Sequence, residues 1–287
     1  MKAARYVWLA ALGLTAAAPW PVGTDTQTRA AAPIEIGAPR PVTAAVLAQR
    51  AAGLEARSRA DGGRARLYAR LDAIDAWRDL RCRFPRAPEA ASGALRAGRM
   101  LGALEFADEA REAFAHAALH LPRPEVHVAE LERGHLERRV GRHVAALDAY
   151  ARVERDPFAP RSARDTAGLW SGRVFAARGS LEDAVRVWGA LLNTAADPVD
   201  RIRAGDWLAL GAIARADFGA AAQWIVRTRE VSAEVALERT PEGVRVRRAL
   251  ARMRSIVELG LAREDGPPTP DTLFDAEVAH AQEVAGD

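Results

Sequence analysis

A pattern of small and aromatic residues that recurs every 36–38 residues constrains the fold of this chain more than any other feature. In the clearest copies an alanine stands twelve positions after a small residue, and an aromatic or apolar residue follows four positions later. The alanines are Ala73, Ala110, Ala146, Ala184 and Ala221. A period of this length is typical of a helical hairpin that buries its apolar face only by stacking on its neighbours. The pattern therefore predicts a row of stacked hairpins.

Three copies place a glycine and an aromatic residue at the two ends of the pattern: Gly98 and Phe114, Gly134 and Tyr150, and Gly172 and Trp188. Glycine and alanine let helix backbones approach closely, so we expect each ring to fill the gap against the next hairpin. Aromatic residues make up only 6% of the chain, whereas 49% of it is hydrophobic. This composition favours many small-residue helix contacts over a sheet, and predicts an all-α fold.

The turns between the two helices of each copy resemble those of the tetratricopeptide repeat (TPR) family. The sequence Arg-Gly-Ser-Leu-Glu-Asp-Ala at residues 178–184 looks like that family's turn and second-helix start, and residues 140–143 and 217–219 occupy the same place in their copies. The resemblance covers residues 43–235 and implies a right-handed α-solenoid of stacked antiparallel helix pairs. A last helix after Thr240, with Pro241 in its first turn, is expected to cap the stack. The predicted repeat domain with its cap spans residues 43–263.

The two ends of the chain differ in composition from this domain. Residues 1–18 combine Lys2 and Arg5 with an apolar run, as in a secretory signal peptide, and residues 19–42 form a Pro- and Ala-rich linker. Residues 264–287 form a tail with seven acidic side chains and no Lys or Arg. We therefore expect an exported protein of the periplasm, the cell envelope or the cell exterior. No membrane span is expected beyond an uncleaved signal, which is the alternative for the N-terminus.

Motifs that would indicate catalysis or a cofactor are not found in the sequence. Cys82 is the only cysteine, which excludes an intramolecular disulfide, and we interpret it as a small helix-packing residue. His116 and His120 share a helix face, but no third ligand is evident and we predict no metal site. The arginines are scattered, so nucleic-acid binding is not expected either. The sequence predicts no enzyme and no cofactor.

The resemblance to the TPR family implies a concave groove lined by the first helices, with the residue after each conserved glycine pointing into it. We therefore predict a binding groove in which cationic and apolar side chains lie side by side; its candidate residues are Leu95, Arg99, Leu131, His135, Arg138, Arg139, Leu169 and Arg173. Arginine binds carboxylates through two parallel hydrogen bonds, which suits a protein or peptide partner with acidic groups. In the alternative interpretation, these arginines solubilise the helices or pair with neighbouring acids.

These features predict an exported, TPR-like scaffold that binds a partner protein or peptide in its Arg-lined groove. A non-catalytic accessory or regulatory subunit of a cell-envelope enzyme or assembly complex is the alternative. A hydrolase or metal protein within the helical body is a third hypothesis. The acidic tail at 264–287 is a candidate occupant of the same groove, because its charge is opposite to that of the arginines.

Overall fold

The computed structural model describes the backbone of residues 42–261 and the side chains of residues 42–255. Over these residues the chain forms helices and no strand, which confirms the predicted all-α solenoid. The helices are α1 (Ala44–Ala60), α2 (Gly63–Arg83), α3 (Pro88–Ala103), α4 (Ala107–His120), α5 (Val126–Arg139), α6 (His143–Arg155), α7 (Arg161–Ala177), α8 (Leu181–Thr194), α9 (Pro198–Ile213), α10 (Phe218–Leu237) and α11 (Pro241–Leu261), with a short 3-10 turn at Arg123–Glu125. The predicted signal peptide at 1–18, the linker up to residue 41 and the tail at 264–287 lie outside the described residues.

Consecutive helices pack as antiparallel pairs, and the second helix of each pair packs against the first helix of the next pair. The first helices α1, α3, α5, α7 and α9 also contact one another along the row. Among the second helices of the described region, only α8 and α10 contact each other as closely as neighbouring first helices do. The first helices therefore form the inner layer of the stack, and α11 covers its end by packing on α9 and α10.

The glycine and the aromatic residue of each copy meet inside one helix pair. A Cβ atom on Gly98 would lie 2.5 Å from Cε1 of Phe114, and the same substitution at Gly134 or Gly172 would overlap the ring of Tyr150 or Trp188. The rings also reach the next pair, as expected: Phe114 packs with Leu136 of α5, and Trp188 with Trp207 of α9. Each ring thus contacts three helices. This packing requires glycine on the first helix, because any side chain there would overlap the ring.

In four of the five described helix pairs, the turn ends the first helix with a residue in the left-handed conformation. Gly141 and Gly179 have φ of +75° and +79°, and the amide of the next residue donates a hydrogen bond back to a carbonyl of the last turn. Glu105 and Ala216 occupy the equivalent positions in two other pairs, at φ of +65° and +58°. Glycine avoids the steric cost that other residues have in this conformation.

Gly141→Ala is therefore expected to lower the free energy of unfolding by about 1 kcal/mol, because an L-residue with a Cβ is strained at positive φ. Gly189 lies within α8 with open space around its Cα. The same substitution there is expected to raise stability by about 0.5–1 kcal/mol through helix propensity. Urea denaturation followed by far-UV circular dichroism measures both variants, and equal shifts in the same direction would contradict the role assigned to the turn.

None of the helices in the described part of the chain is both long enough and apolar enough to cross a membrane.

Candidate binding site on the inner helices

Two arginines and two tryptophans alternate across three inner helices, and we call them the inner-face cluster: Arg138 on α5, Trp170 and Arg173 on α7, and Trp207 on α9. The Cζ atom of Arg138 lies 4.5 Å from the centre of the Trp170 ring. The Cζ atom of Arg173 lies 5.4 Å from the Trp170 ring centre and 5.9 Å from that of Trp207. Both guanidinium groups are therefore held by cation–π contacts with a ring.

The register of the helices explains why these side chains meet. Residues three or four apart lie on one face of a helix, so Trp170 and Arg173 share a face of α7, as Leu131, His135 and Arg138 do on α5. The first helices α5, α7 and α9 contact one another directly, which brings these faces together. The ring centres of Trp170 and Trp207 are 5.4 Å apart in an edge-to-face arrangement. The cluster is thus built from rigid helices rather than from loops.

His135 lies beside this cluster and bonds to the core. Its Nδ1 atom and the Tyr150 hydroxyl share a hydrogen bond of 2.8 Å, and its ring centre is 5.1 Å from that of Trp170. Burial, together with the positive charges of Arg138 and Arg139, lowers the pKa of His135 to about 4. Burial also raises the pKa of Tyr150. Both groups are therefore uncharged at neutral pH, and the positive charge of this region belongs to the arginines.

The candidate groove residues do not all lie on one accessible surface. Leu169 is 0% exposed and belongs to the core around Trp188, so it offers no surface to a partner. Arg173 is only 4% exposed, whereas Arg138 is half-buried and Arg139 is exposed. Leu95 and Leu131 are half-buried and pack against core clusters.

Arg99 stands apart from the inner-face cluster. It is exposed, and its Nε atom donates to Oε1 of Glu132 on α5 at 2.7 Å. The alternative interpretation, in which an arginine pairs with a neighbouring acid, therefore holds for Arg99. The structure brings His135, Arg138 and Arg173 together around Trp170 and leaves Arg99 in an ion pair.

The sequence pattern did not identify Trp170 and Trp207 as site residues, because neither stands at the aromatic position of the repeat. Trp207 is buried, but it also carries a guanidinium on its face. The sequence does contain an indication for Trp170. It lies three residues before the predicted groove residue Arg173, and this spacing places both side chains on the same face of a helix. Residues that share a helix face with a predicted groove residue are therefore also candidates for the site.

Two other candidates stay outside the site. The rings of His116 and His120 lie 4.5 Å apart, but no group of three His, Cys, Asp or Glu side chains suited to a metal occurs in the described region. Cys82 is exposed on α2. The interpretation of Cys82 as a helix-packing residue is therefore wrong, since its side chain lies on the solvent face of the helix.

Comparison with known proteins adds little to this site. The chain is similar to the crystal structure of MamA, with 17% sequence identity and a TM-score of 0.48 over 59% of this chain and 92% of that one. No protein-family model and no curated protein sequence matches the chain. The helical-repeat architecture therefore rests on the paired helices described above, and the inner-face cluster on its own geometry.

Proposed function

We propose that this protein is a non-catalytic interaction scaffold that binds an acidic peptide segment of a partner on its inner face. The observation that carries the proposal is the half-buried Arg138 guanidinium, whose Cζ atom lies 4.5 Å from the centre of the partly buried Trp170 ring. The buried Arg173 and Trp207 side chains contact the same ring and hold it in place. Helical repeats commonly bind extended or helical peptides along the surface that their stacked units share.

The chemistry of a stacked arginine favours a carboxylate ligand. A guanidinium that lies over a ring keeps its N–H donors in the plane of the group, where they fit a carboxylate through two parallel hydrogen bonds. Arg138 is the more accessible cation of the cluster, with Arg139 exposed beside it. The partly buried Trp170 ring offers apolar area to an aromatic or aliphatic anchor of the same peptide.

We further propose that the protein acts after export, in the periplasm, the cell envelope or outside the cell. This part of the proposal is supported by the charged start and apolar run at residues 1–18. If the partner proves to be an enzyme that co-purifies in a fixed ratio, the scaffold serves as its accessory subunit.

The proposal predicts that Arg138→Glu weakens binding of an acidic peptide by at least about tenfold, since it replaces an attractive charge with a repulsive one. The probe is a fluorescent peptide of Asp and Glu residues around one Phe, titrated by anisotropy against the full chain. Arg138→Lys keeps the charge but loses the planar stack, so it should give an intermediate affinity.

Arg186→Glu provides the matched control, because Arg186 lies exposed on the outer helix α8, paired with Asp183 at 2.7 Å. Arg186→Glu should leave the affinity for the acidic peptide unchanged. A control peptide in which Asn and Gln replace Asp and Glu should bind neither the wild type nor the variants. Equal affinities for the Arg138 and Arg186 variants would overturn the proposed site. Circular dichroism of each variant separates loss of binding from loss of fold.

A further inference from the structure

We propose that the acidic tail of this chain is a ligand of its own inner-face cluster and competes there with the partner. This inference rests on the proposed function, since it names a second ligand of the same site. The tail spans residues 264–287, outside the described residues, and its sequence and the position at which α11 ends support the inference.

The tail has the composition that the cluster would recognise. Residues 271–277 read Asp-Thr-Leu-Phe-Asp-Ala-Glu, which places three carboxylates around Leu273 and Phe274. A carboxylate suits the half-buried guanidinium group of Arg138, and a Phe or Leu side chain suits the exposed part of Trp170. The whole tail holds seven acids and no Lys or Arg, so it carries the charge opposite to that of the arginines.

The geometry of α11 brings the chain to the correct edge of the stack. Arg245 binds Asp197, the N-cap residue of α9, through an Nη2–Oδ2 distance of 2.7 Å. Short turns connect α9 to α10 and α10 to α11, so α11 runs parallel to α9. At 1.5 Å per residue, the stretch from Arg245 to Leu261 rises by about 24 Å, which is about the length of the 16-residue α9.

The chain thus leaves α11 level with the carboxyl end of α9. Arg138 and Arg173 lie near the carboxyl ends of α5 and α7, at the same edge of the stack. Two interhelical steps of about 8–10 Å separate α11 from α7. The ten residues from 262 to 271 span up to about 33 Å when extended, so residues 271–277 can reach the cluster within one molecule.

Cis binding raises the effective concentration of the tail at the site, so a competing peptide must displace it. The test compares the full chain with a variant in which the seven acids of 264–287 are replaced by Asn or Gln, at unchanged length. The probe is a fluorescent synthetic peptide of residues 264–287, titrated by anisotropy. We expect the probe to bind the amide-tail variant at least about tenfold more tightly than the wild type.

Adding Arg138→Glu to the amide-tail variant should abolish this binding, and adding Arg186→Glu should leave it intact. Equal affinity of the probe for the wild type and the amide-tail variant would overturn the inference. The proposed function would survive that result if the Asp/Glu peptide still distinguished Arg138→Glu from Arg186→Glu. If neither the 264–287 peptide nor the Asp/Glu peptide bound the wild type or the amide-tail variant, the proposed function would be overturned as well.

A photo-crosslink gives a second readout that does not depend on affinity. With p-benzoylphenylalanine in place of Phe274 in the full chain, irradiation should join the tail to peptides of α5 or α7 of the same molecule. A mixture of isotopically light and heavy protein identifies the donor chain. Crosslinks to other helices, or only between light and heavy chains, would contradict docking in cis.

Discussion

Trp188→Ala is expected to lower the free energy of unfolding by about 3–5 kcal/mol, the largest stability effect that we predict for the described region. The indole is 0% exposed, lies over Gly172 and contacts the Trp207 ring at a centroid distance of 5.4 Å. Its Nε1 atom also donates a hydrogen bond of 3.0 Å to the carbonyl of Leu169. Alanine leaves a cavity between α7, α8 and α9 and removes the donor from a buried carbonyl.

A double-mutant cycle tests whether Gly172 and Trp188 act as a pair. Gly172→Ala in the wild type is expected to destabilise, because the new Cβ overlaps the indole. In the Trp188→Ala background the space is free, and the same substitution should become stabilising by about 0.5–1 kcal/mol through helix propensity. Urea denaturation of the four proteins gives the coupling energy, and additive effects would show that the ring and the glycine are independent.

Acidification from pH 6.5 to about 4 is expected to remove on the order of 3 kcal/mol of stability through His135 alone. The pKa of His135 falls from 6.5 in the unfolded chain to about 4 in the fold, so only the unfolded chain takes up the proton in this interval. The contribution is fully present above pH 6.5 and is lost as the pH falls toward the pKa in the fold.

His135→Gln is the matched control, because its amide can still bond the Tyr150 hydroxyl but does not titrate. Burial raises the pKa values of Glu154 and Asp200, which gives a dependence of opposite sign at low pH, and both groups remain in the control. The difference between wild type and control therefore isolates the imidazole. Unfolding free energies should fall more steeply in the wild type between pH 6.5 and 5, and parallel curves would contradict a buried neutral His135.

The fold was predictable because the same spacing of small and aromatic residues recurs in each helix pair along the chain. The alanines at 36–38 residue intervals are buried, and the glycine and aromatic residues meet as helix packing requires. The exact turns were less predictable. Glu105 and Ala216 adopt the conformation that Gly141 and Gly179 favour, and only the packing of the helices on either side imposes it.

The site was predicted only in part. A sequence pattern indicates on which face of its helix a residue lies, but not which residue of the adjoining helix it contacts. Arg99 and Arg173 hold the same position after a glycine, yet Arg99 is exposed beside Glu132, whereas Arg173 is buried beside two tryptophan rings. The difference comes from residues of the adjoining helix, which no local pattern reports. Leu169 was placed on the groove by its offset from the glycine, whereas the close approach of α7 and α8 buries it.

The distribution of tryptophan also decides what a spectroscopic probe can observe. Of the tryptophans in the described region, Trp77 lies on α2, while the others lie on α7–α10 at positions 170, 188, 207 and 224. The fluorescence of these five tryptophans therefore reports mainly on the C-terminal half of the stack, and circular dichroism reports on every helix. Because each pair contacts only its neighbours, the two halves can lose structure at different denaturant concentrations. A gap between the two signals would measure the cooperativity between hairpins.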